Sequence, residues 1–430
     1  MIKRLLIANR GEIAVRIIRA CREMGISPVV VYSTADRDSL HTRLADKAIC
    51  IGSAPAAKSY LLQKNLIEAA IKTHCEALHP GVGFLSENAG FARAVTDAGL
   101  VFIGPSPETL ALLGDKIAAR ETAERLGLPV TPGTKEAVSN IEEALEAVKT
   151  LNLPIIIKAA AGGGGKGMRI VNNADELEEA LKIASREAES NFASGSVFIE
   201  RYIENPRHVE LQILASGAEK VAVLGERDCS VQKNHQKLIE ESPSPAISDA
   251  MRKKMTALSL KLFSGLSYRG AGTIEFLVKD DSFYFMEVNA RVQVEHPVSE
   301  MVCGVDIIRE QILACTNNDM ELAAGCAHTK GAAIECRINA LSPGKVGGLE
   351  IPGGPGVRWD SFLYSGCTVP PYYDALVAKL IVHADNRPAA ISRMLRALGE
   401  LRIDGIKTNI EEQKQIISSP EFYSGEWSNK

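Results

Sequence analysis

The chain has 430 residues, 46% of them hydrophobic and 24% charged, and a formal net charge of −4 at pH 7. That composition excludes a disordered chain, and the slightly acidic balance excludes the basic footprint demanded by nucleic acid or an anionic membrane. No apolar run approaches the ~18 residues of a membrane span and no signal-peptide layout precedes the first strand, so a cytoplasmic protein of about three domains is expected.

Residues 3–9 read as a short apolar strand, and Ile13, Ile17, Cys21 and Met24 then recur at helical spacing up to Gly25. Residues 29–32 form a second buried strand, which completes a βαβ unit. Helix over 65–73, strand near Ala77, helix over 88–98 and strand over 101–103 continue the alternation. It predicts a doubly wound parallel sheet ending near Leu113. Asn9-Arg10-Gly11-Glu12-Ile13-Ala14 has one glycine where a dinucleotide fingerprint needs three. The loop 79–88 lies at a strand end, where glycines allow close backbone approach.

Residues 106–128 read as one helix, with Ser106 as N-cap and Pro107 at its first position. Helix over 141–151, strand over 154–158, strand over 168–171, helix over 174–190 and strand over 197–200 follow. From here the strands look antiparallel. In residues 208–213, His208, Glu210 and Gln212 share one face, and Val209, Leu211 and Ile213 the other. Glycine and proline mark 352–356 as a turn region, and a final helix is expected over 387–398. Nine cysteines without a Cys-x-x-Cys pair signal neither a zinc site nor a disulfide scaffold.

Two features carry chemistry. The loop Gly162-Gly163-Gly164-Gly165-Lys166-Gly167 lies between predicted strands and is followed by neither Ser nor Thr. It reads as a glycine flap over phosphates rather than a Walker loop. Residues 272–278 and 283–289 flank a polar turn and form a hairpin. Symmetric pairing about Asp281 sets Glu275 opposite Glu287, with Cβ atoms roughly 4.5–5.5 Å apart. Two such carboxylates need a cation between them, and oxygen ligands suggest Mg²⁺ or Mn²⁺, with Asn289 adding a third oxygen. If the strand continues, Arg291, Gln293 and Glu295 extend the same face. Arg291 suits a planar oxyanion, and Glu295 is a candidate general base. Gln232, Lys233, His235, Gln236 and Lys237 form a polar cluster, Arg337 lies on a strand over 333–338, and the lone His296 reads as structural. Together these describe an ATP site for acyl-phosphate chemistry.

These residues match a known family. The matches are Ile7-Ala8-Asn9-Arg10-Gly11-Glu12-Ile13-Ala14, His79-Pro80-Gly81 through Glu87-Asn88, Gly114-Asp115-Lys116, and the flap ending Lys166-Gly167-Met168. They continue through Glu226-Arg227-Asp228-Cys229-Ser230, the run from Met286 to Val298, and Asp404-Gly405-Ile406-Lys407-Thr408-Asn409. Over nearly its whole length the chain resembles the biotin carboxylases of the ATP-grasp superfamily. The resemblance implies a mixed α/β and α+β chain. A doubly wound pre-ATP-grasp domain would span 1–113, an ATP-grasp domain 114–330 with a lid over about 131–203, and a β-rich C-terminal domain 331–430.

It also implies a ligase reaction, in which MgATP phosphorylates bicarbonate to carboxyphosphate and CO₂ passes to N1′ of biotin. Carried onto this sequence, Lys116, Lys158, Glu200, Arg201, Tyr202, Ile203, His208, Gln232, His235, Glu275 and Glu287 are nucleotide contacts. Gly164 and Gly165 are flap contacts to phosphate. Glu275, Glu287 and Asn289 hold the metal, two Mg²⁺ or Mn²⁺ ions in all. Lys237, Arg291, Gln293 and Val294 form the bicarbonate cradle, Glu295 is its base, and Arg337 resembles the arginine that stabilises enolate-like biotin. The absence of a Met-Lys-Met acceptor implies a separate biotin carboxyl carrier protein and separate carboxyltransferase subunits. A homodimer is common in the family. Acetyl-CoA carboxylase, in fatty acid synthesis, is the expected parent, with pyruvate or another acyl-CoA carboxylase as alternatives. Two rival readings remain. Another ATP-grasp ligase, joining a carboxylate to an amine, would not require Arg337 or the 292–297 segment. A non-catalytic nucleotide-binding subunit would not retain Glu275, Glu287, Arg291 and Glu295 together. Three departures from the family stand out: Ala161 where a glycine is common, a short connection between Asn339 and Pro352, and Lys430 arriving early. Differences in part of the adenine pocket and in C-terminal packing are therefore expected.

Overall fold

The structure is a computed structural model that describes residues 2–138, 140–159, 168–192, 195–316 and 320–427. Its N-terminal sheet is built from short apolar strands whose alternation sorts side chains to two cores. Leu6, Val29, Val31 and Leu78 face one, and Leu5, Ile7, Val30 and Ala77 the other. Five parallel strands stand in the order Lys47–Gly52, Ser27–Ser33, Arg4–Ile7, Ala77–His79 and Val101–Phe102. The order turns about the first strand, as expected for a doubly wound sheet, and the crevice at that switch point opens toward loop 79–88. Gly81 has φ +67° there, and a Cβ on it would stand 2.7 Å from the Asn9 side chain. Asn9 Nδ2 donates to the carbonyls of Pro80 and Val82 at 2.7 and 2.8 Å.

The single helix expected over 106–128 is two helices, Pro107–Gly114 and Lys116–Arg125. Asp115 between them is extended, and its carboxylate accepts from the amides of Ile117 and Ala118. That cap outweighs the continuous helical spacing. Ser106 caps the first helix as expected. The helix expected from residue 174 begins as a 3₁₀ turn, Ala174–Glu176, and becomes α-helical as Leu177–Phe192.

Three antiparallel strands, Arg169–Val171, Ile155–Ala159 and Val197–Arg201, form a small separate sheet. With helices Ile141–Leu151 and Leu177–Phe192 it encloses its own core of Ala144, Ile155, Ile157, Val171, Leu177 and Ile199. The remaining large sheet is mostly antiparallel. Its order is Ser282–Asn289, Arg269–Lys279, Arg207–Ser216, Val221–Lys233, Gln236–Ser242, Ala332–Asn339, Leu376–Ala384 and Val357–Ser361. It runs past residue 331 without interruption, because Ile239 pairs with Cys336 and Glu240 with Glu335.

Helix Arg387–Glu400 is not the last. Ile410–Ile417 and Pro420–Ser424 follow, each too short to show a clear period in sequence. Asn409 and Gln413 donate to the Arg337 carbonyl at 3.0 and 2.8 Å, so this end of the chain holds the strand that carries Arg337. No helix among the described residues is long and apolar enough to cross a membrane.

Candidate active site

The hairpin Arg269–Lys279 and Ser282–Asn289 turns tightly at Asp280 and Asp281. Lys279 pairs with Ser282 and Phe276 with Phe285, a register that alone would set Glu275 against Met286. An irregularity between Phe276 and Glu275 absorbs Met286, and Glu275 falls opposite Glu287 as expected. On its other side Glu275 pairs with Glu210, and Glu210 with Arg227. Three carboxylates therefore stand abreast on neighbouring strands, which is unfavourable unless cations intervene.

Lys237 supplies one. Its Nζ lies 2.6 Å from Glu210, 3.0 Å from Glu275 and 2.7 Å from Glu295, so all three ammonium donors are engaged. His208 Nε2 stands 2.8 Å from Glu275 Oε2, and its Nδ1 meets Gln232 at 2.9 Å. Arg227, with no exposed surface, donates to Glu210, Gln212, Thr273, Gln293 and Ser299. Arg337 donates to Glu240 at 2.6 Å and to Glu295 at 3.0 Å.

The strand does not continue through Glu295 as expected. It ends at Asn289, and Glu295 is the N-cap of helix His296–Cys303. Val292 turns into the core, and the loop delivers the polar residues instead. Gln293 Nε2 donates to Glu275 at 2.7 Å, and Asn289 Nδ2 to the same oxygen at 2.8 Å. Arg291 is gripped by Glu87 at 2.8 Å and by Asn289 Oδ1 at 2.8 Å. Loop 79–88 thus reaches the site through Glu87. The Val294 carbonyl accepts from Lys379 at 2.8 Å.

Charge coupling decides the protonation states. Burial alone would raise the Glu275 carboxyl, but Lys237 and His208 outweigh it and hold it well below the usual range. Burial likewise pushes Glu295 up, and Lys237, Arg337 and Arg227 pull it below its ordinary value. Burial opposes the charge on Lys237, yet Glu210, Glu275 and Glu295 raise it well above the usual ammonium value. Glu240 goes the other way: burial dominates over Arg337 and pushes it up to about 7. Glu275 and Glu295 are therefore held towards their ionised forms beside a charged Lys237, whereas Glu240 is pushed towards its neutral form.

The remaining candidates make contacts of their own. Glu287 is one-third exposed, and its nearest donors among the described residues are Asn289 Nδ2 at 3.5 Å and Lys116 Nζ at 3.8 Å. Lys158 pairs with Glu200 at 2.6 Å on the small sheet, and Arg120 approaches the same carboxylate at 3.4 Å. Arg201 ends that sheet; Tyr202 and Ile203 follow it half-buried. His235 sits exposed in a tight turn with φ +62°, apart from the Lys237 network. Gly164 and Gly165 lie outside the described residues. Sequence reasoning assigned no role to Glu210, Arg227, Glu240, Glu87 or Lys379. The signal for Glu210 was its shared face with His208, and for Lys379 a single lysine inside an apolar strand.

Residues 1–110 match the family described as biotin carboxylase, N-terminal domain, and residues 335–430 the biotin carboxylase C-terminal domain. Residues 115–322 match the ATP-binding domain of the carbamoyl-phosphate synthase L chain. The chain is 49% identical over 433 residues to the biotin carboxylase of Haemophilus influenzae, covering 99% of this chain and 97% of that protein. It is 49% identical over 431 residues to the biotin carboxylase of a Nostoc species, covering 98% and 96%. Among solved structures it is similar to a biotin carboxylase in complex with β,γ-ATP from Campylobacter jejuni, with TM-score 0.96, 43% identity and coverage of 100% and 98%. The biotin carboxylase domain dimer of the Hydrogenobacter thermophilus 2-oxoglutarate carboxylase, in complex with MgADP, ADP and bicarbonate, also has TM-score 0.96, with 40% identity and coverage of 100% and 96%.

Proposed function

The chain belongs to the biotin carboxylase family, and on that premise we propose that the network around Lys237 carries the first half-reaction of a biotin-dependent carboxylase. The enzyme is an ATP-dependent ligase that carboxylates biotin, with bicarbonate as the carbon source. The observation that carries the assignment of residues is the contact of one ammonium, on Lys237, with three carboxylates on three elements. Such a cluster stores a cation where an anionic substrate must arrive beside a base.

Glu275, Glu287 and Asn289 fit a hard divalent cation, Mg²⁺ or Mn²⁺. Glu275 and Glu287 are paired across the hairpin with Asn289 two residues on, and among the described residues Glu287 has no donor closer than 3.5 Å. Bound there, the cation would neutralise the triphosphate of ATP. Asn289 currently turns Nδ2 to Glu275 and Oδ1 to Arg291, so ligation needs its amide to rotate. Lys116, 3.8 Å from Glu287, and Lys158, on the small sheet, are the proposed further phosphate contacts.

Arg291 keeps two of its five donors after Glu87, Asn289 and Val292 are counted, and these hold bicarbonate with Lys237. When the anion draws Lys237 away from Glu295, one of the cations that depress this carboxyl is lost. Glu295 then becomes basic enough to take the bicarbonate proton. Arg337, shared between Glu240 and Glu295, would hold the ureido oxygen of biotin. In this proposal the biotin arrives on a carrier protein and leaves for a carboxyltransferase. Acetyl-CoA carboxylase is the proposed parent, in the cytoplasm, where nine unpaired cysteines are at home. A second copy of the chain is the proposed partner in a homodimer.

The test is ADP release from MgATP and bicarbonate, with and without free biotin, in the parent chain and in Glu295→Gln. Stimulation by biotin that the variant abolishes supports the reading. Turnover indifferent to biotin transfers it to a carboxylate–amine ligase, and no turnover to a regulatory subunit.

A further inference from the structure

Strand Leu376–Ala384 carries one lysine, and Lys379 has no exposed surface. Its Nζ donates to the Val294 carbonyl at 2.8 Å and stands 3.0 Å from Glu12 on the first helix, Gly11–Glu23. One residue earlier, the Gln293 carbonyl meets His296 Nδ1 at 2.7 Å. A carbonyl only accepts, so the ring proton sits on Nδ1. His296 is fully buried, and its Nε2 has no partner among the described residues.

A trans peptide points its carbonyl and the following N–H in opposite directions. Tying the Gln293 and Val294 carbonyls into the protein therefore turns the amides of Val294 and Glu295 away from it. Neither amide donates to another group among the described residues. Val294 is half-buried, and Gln293 and Glu295 on either side reach Glu275 and Lys237. Between Asn289 and His296 there is no helix or strand, and the loop's own backbone contributes only a long bond from the His296 amide to the Gln293 carbonyl, at 3.3 Å.

We propose that Lys379 and His296 are positioning residues for the bicarbonate cradle, each holding one carbonyl of the loop so that the Val294 and Glu295 amides face the anion. The inference deepens the proposed function and rests on it. A neutral donor could make either bond. Lysine also reaches Glu12, which ties the loop to the N-terminal domain, and the charges of Glu12, Glu335 and Asp360 offset its burial.

The test uses the full chain as Lys379→Met, His296→Leu and His296→Asn, the last keeping a donor near Nδ1. ADP release is measured against bicarbonate, and MgADP binding by calorimetry. The bicarbonate KM is expected to rise about tenfold in Lys379→Met and His296→Leu, the range for residues that orient a ligand-bearing group. MgADP affinity should stay within about twofold, and His296→Asn should recover most of the loss. Unchanged bicarbonate KM in the variants that fold overturns the inference. Loss of fold in both Lys379→Met and His296→Leu, seen by circular dichroism, makes the two residues framework and overturns it as well. Absence of bicarbonate-dependent ADP release in the parent chain overturns the proposed function and the inference with it.

Discussion

Arg337 and Glu295 meet at 3.0 Å, Nη2 against Oε2, while Nε of the same guanidinium donates to Glu240 at 2.6 Å. The proposed biotin contact and the proposed base are thus one hydrogen bond apart. Removing either one disturbs the other. Arg337→Met and Glu295→Gln should each lower biotin-stimulated ADP release by about 10²–10³-fold. The double variant should lose far less than the product, because coupled residues act as a unit. Initial rates for the three variants decide this; strictly multiplicative losses would separate the two roles.

Glu287 and Glu275 should respond differently to neutralisation. Glu287 is one-third exposed and loosely held, so Glu287→Gln should change stability by no more than about 0.5 kcal/mol. Its Mg²⁺ requirement should rise roughly tenfold or more, since a proposed ligand carboxylate is lost. Glu275→Gln removes the charge that faces His208 and Lys237, and should cost about 1–3 kcal/mol besides. Urea denaturation without metal and Mg²⁺ titration of ADP release separate the effects. A metal requirement untouched by Glu287→Gln would remove it from the ligand set.

Arg227 makes its contacts with no exposed surface, and burial of its charge is offset by Glu210 and Glu295. Arg227→Met should destabilise by about 3–5 kcal/mol, as expected when one partner of a buried pair is removed. Arg227→Lys should recover less than half, because a single ammonium cannot replace a planar fork shared by Glu210, Gln212 and Gln293. Equal stability of the lysine variant and the parent would show that charge alone matters there.

Glu241 gives the chain a pH signature away from the site. Burial pushes its carboxyl up to about 7, although Arg387 donates to it at 2.6 and 3.1 Å. The folded value exceeds the unfolded ~4.3, so the native state binds this proton more tightly. Its contribution to stability is complete below pH ~4.3 and is lost as pH rises through the folded value. Glu241→Gln should therefore flatten the fall in stability over that window. Urea midpoints at several pH values provide the check, and parallel slopes in variant and parent would refute it.

Much of the fold follows from local rules that this sequence obeys. The parallel sheet was legible because each strand is short, apolar and followed by a helical period. The break at Asp115 was not, because apolar spacing runs on through it and only the capping carboxylate reveals the stop. The Glu275–Glu287 pair is more instructive. A centre at Asp281 predicts it, yet the turn pairs Lys279 with Ser282, half a step away, and Met286 makes up the difference. Sequence symmetry reached the right pair without seeing the irregularity that produces it. The same parity rule failed beyond Asn289, where the backbone leaves the strand. Arg291, Gln293 and Glu295 still converge there because Glu87, Arg227 and Lys237, all distant in sequence, hold them. Such long-range partners have no periodicity to read, which is why Arg227, Glu240 and Lys379 drew no assignment.

The pairing of Ile239 with Cys336 has a practical consequence for anyone dissecting this protein. Severing the chain after residue 330 would strip two long central strands, Gln236–Ser242 and Ala332–Asn339, of a neighbour at once. Each fragment would present a fresh row of unpaired amides and carbonyls beside buried apolar side chains, the kind of edge that recruits other chains. The last hundred residues are accordingly best regarded as a flank of the large sheet. Expressed alone they should aggregate, and complementation by the two pieces should require that they fold together.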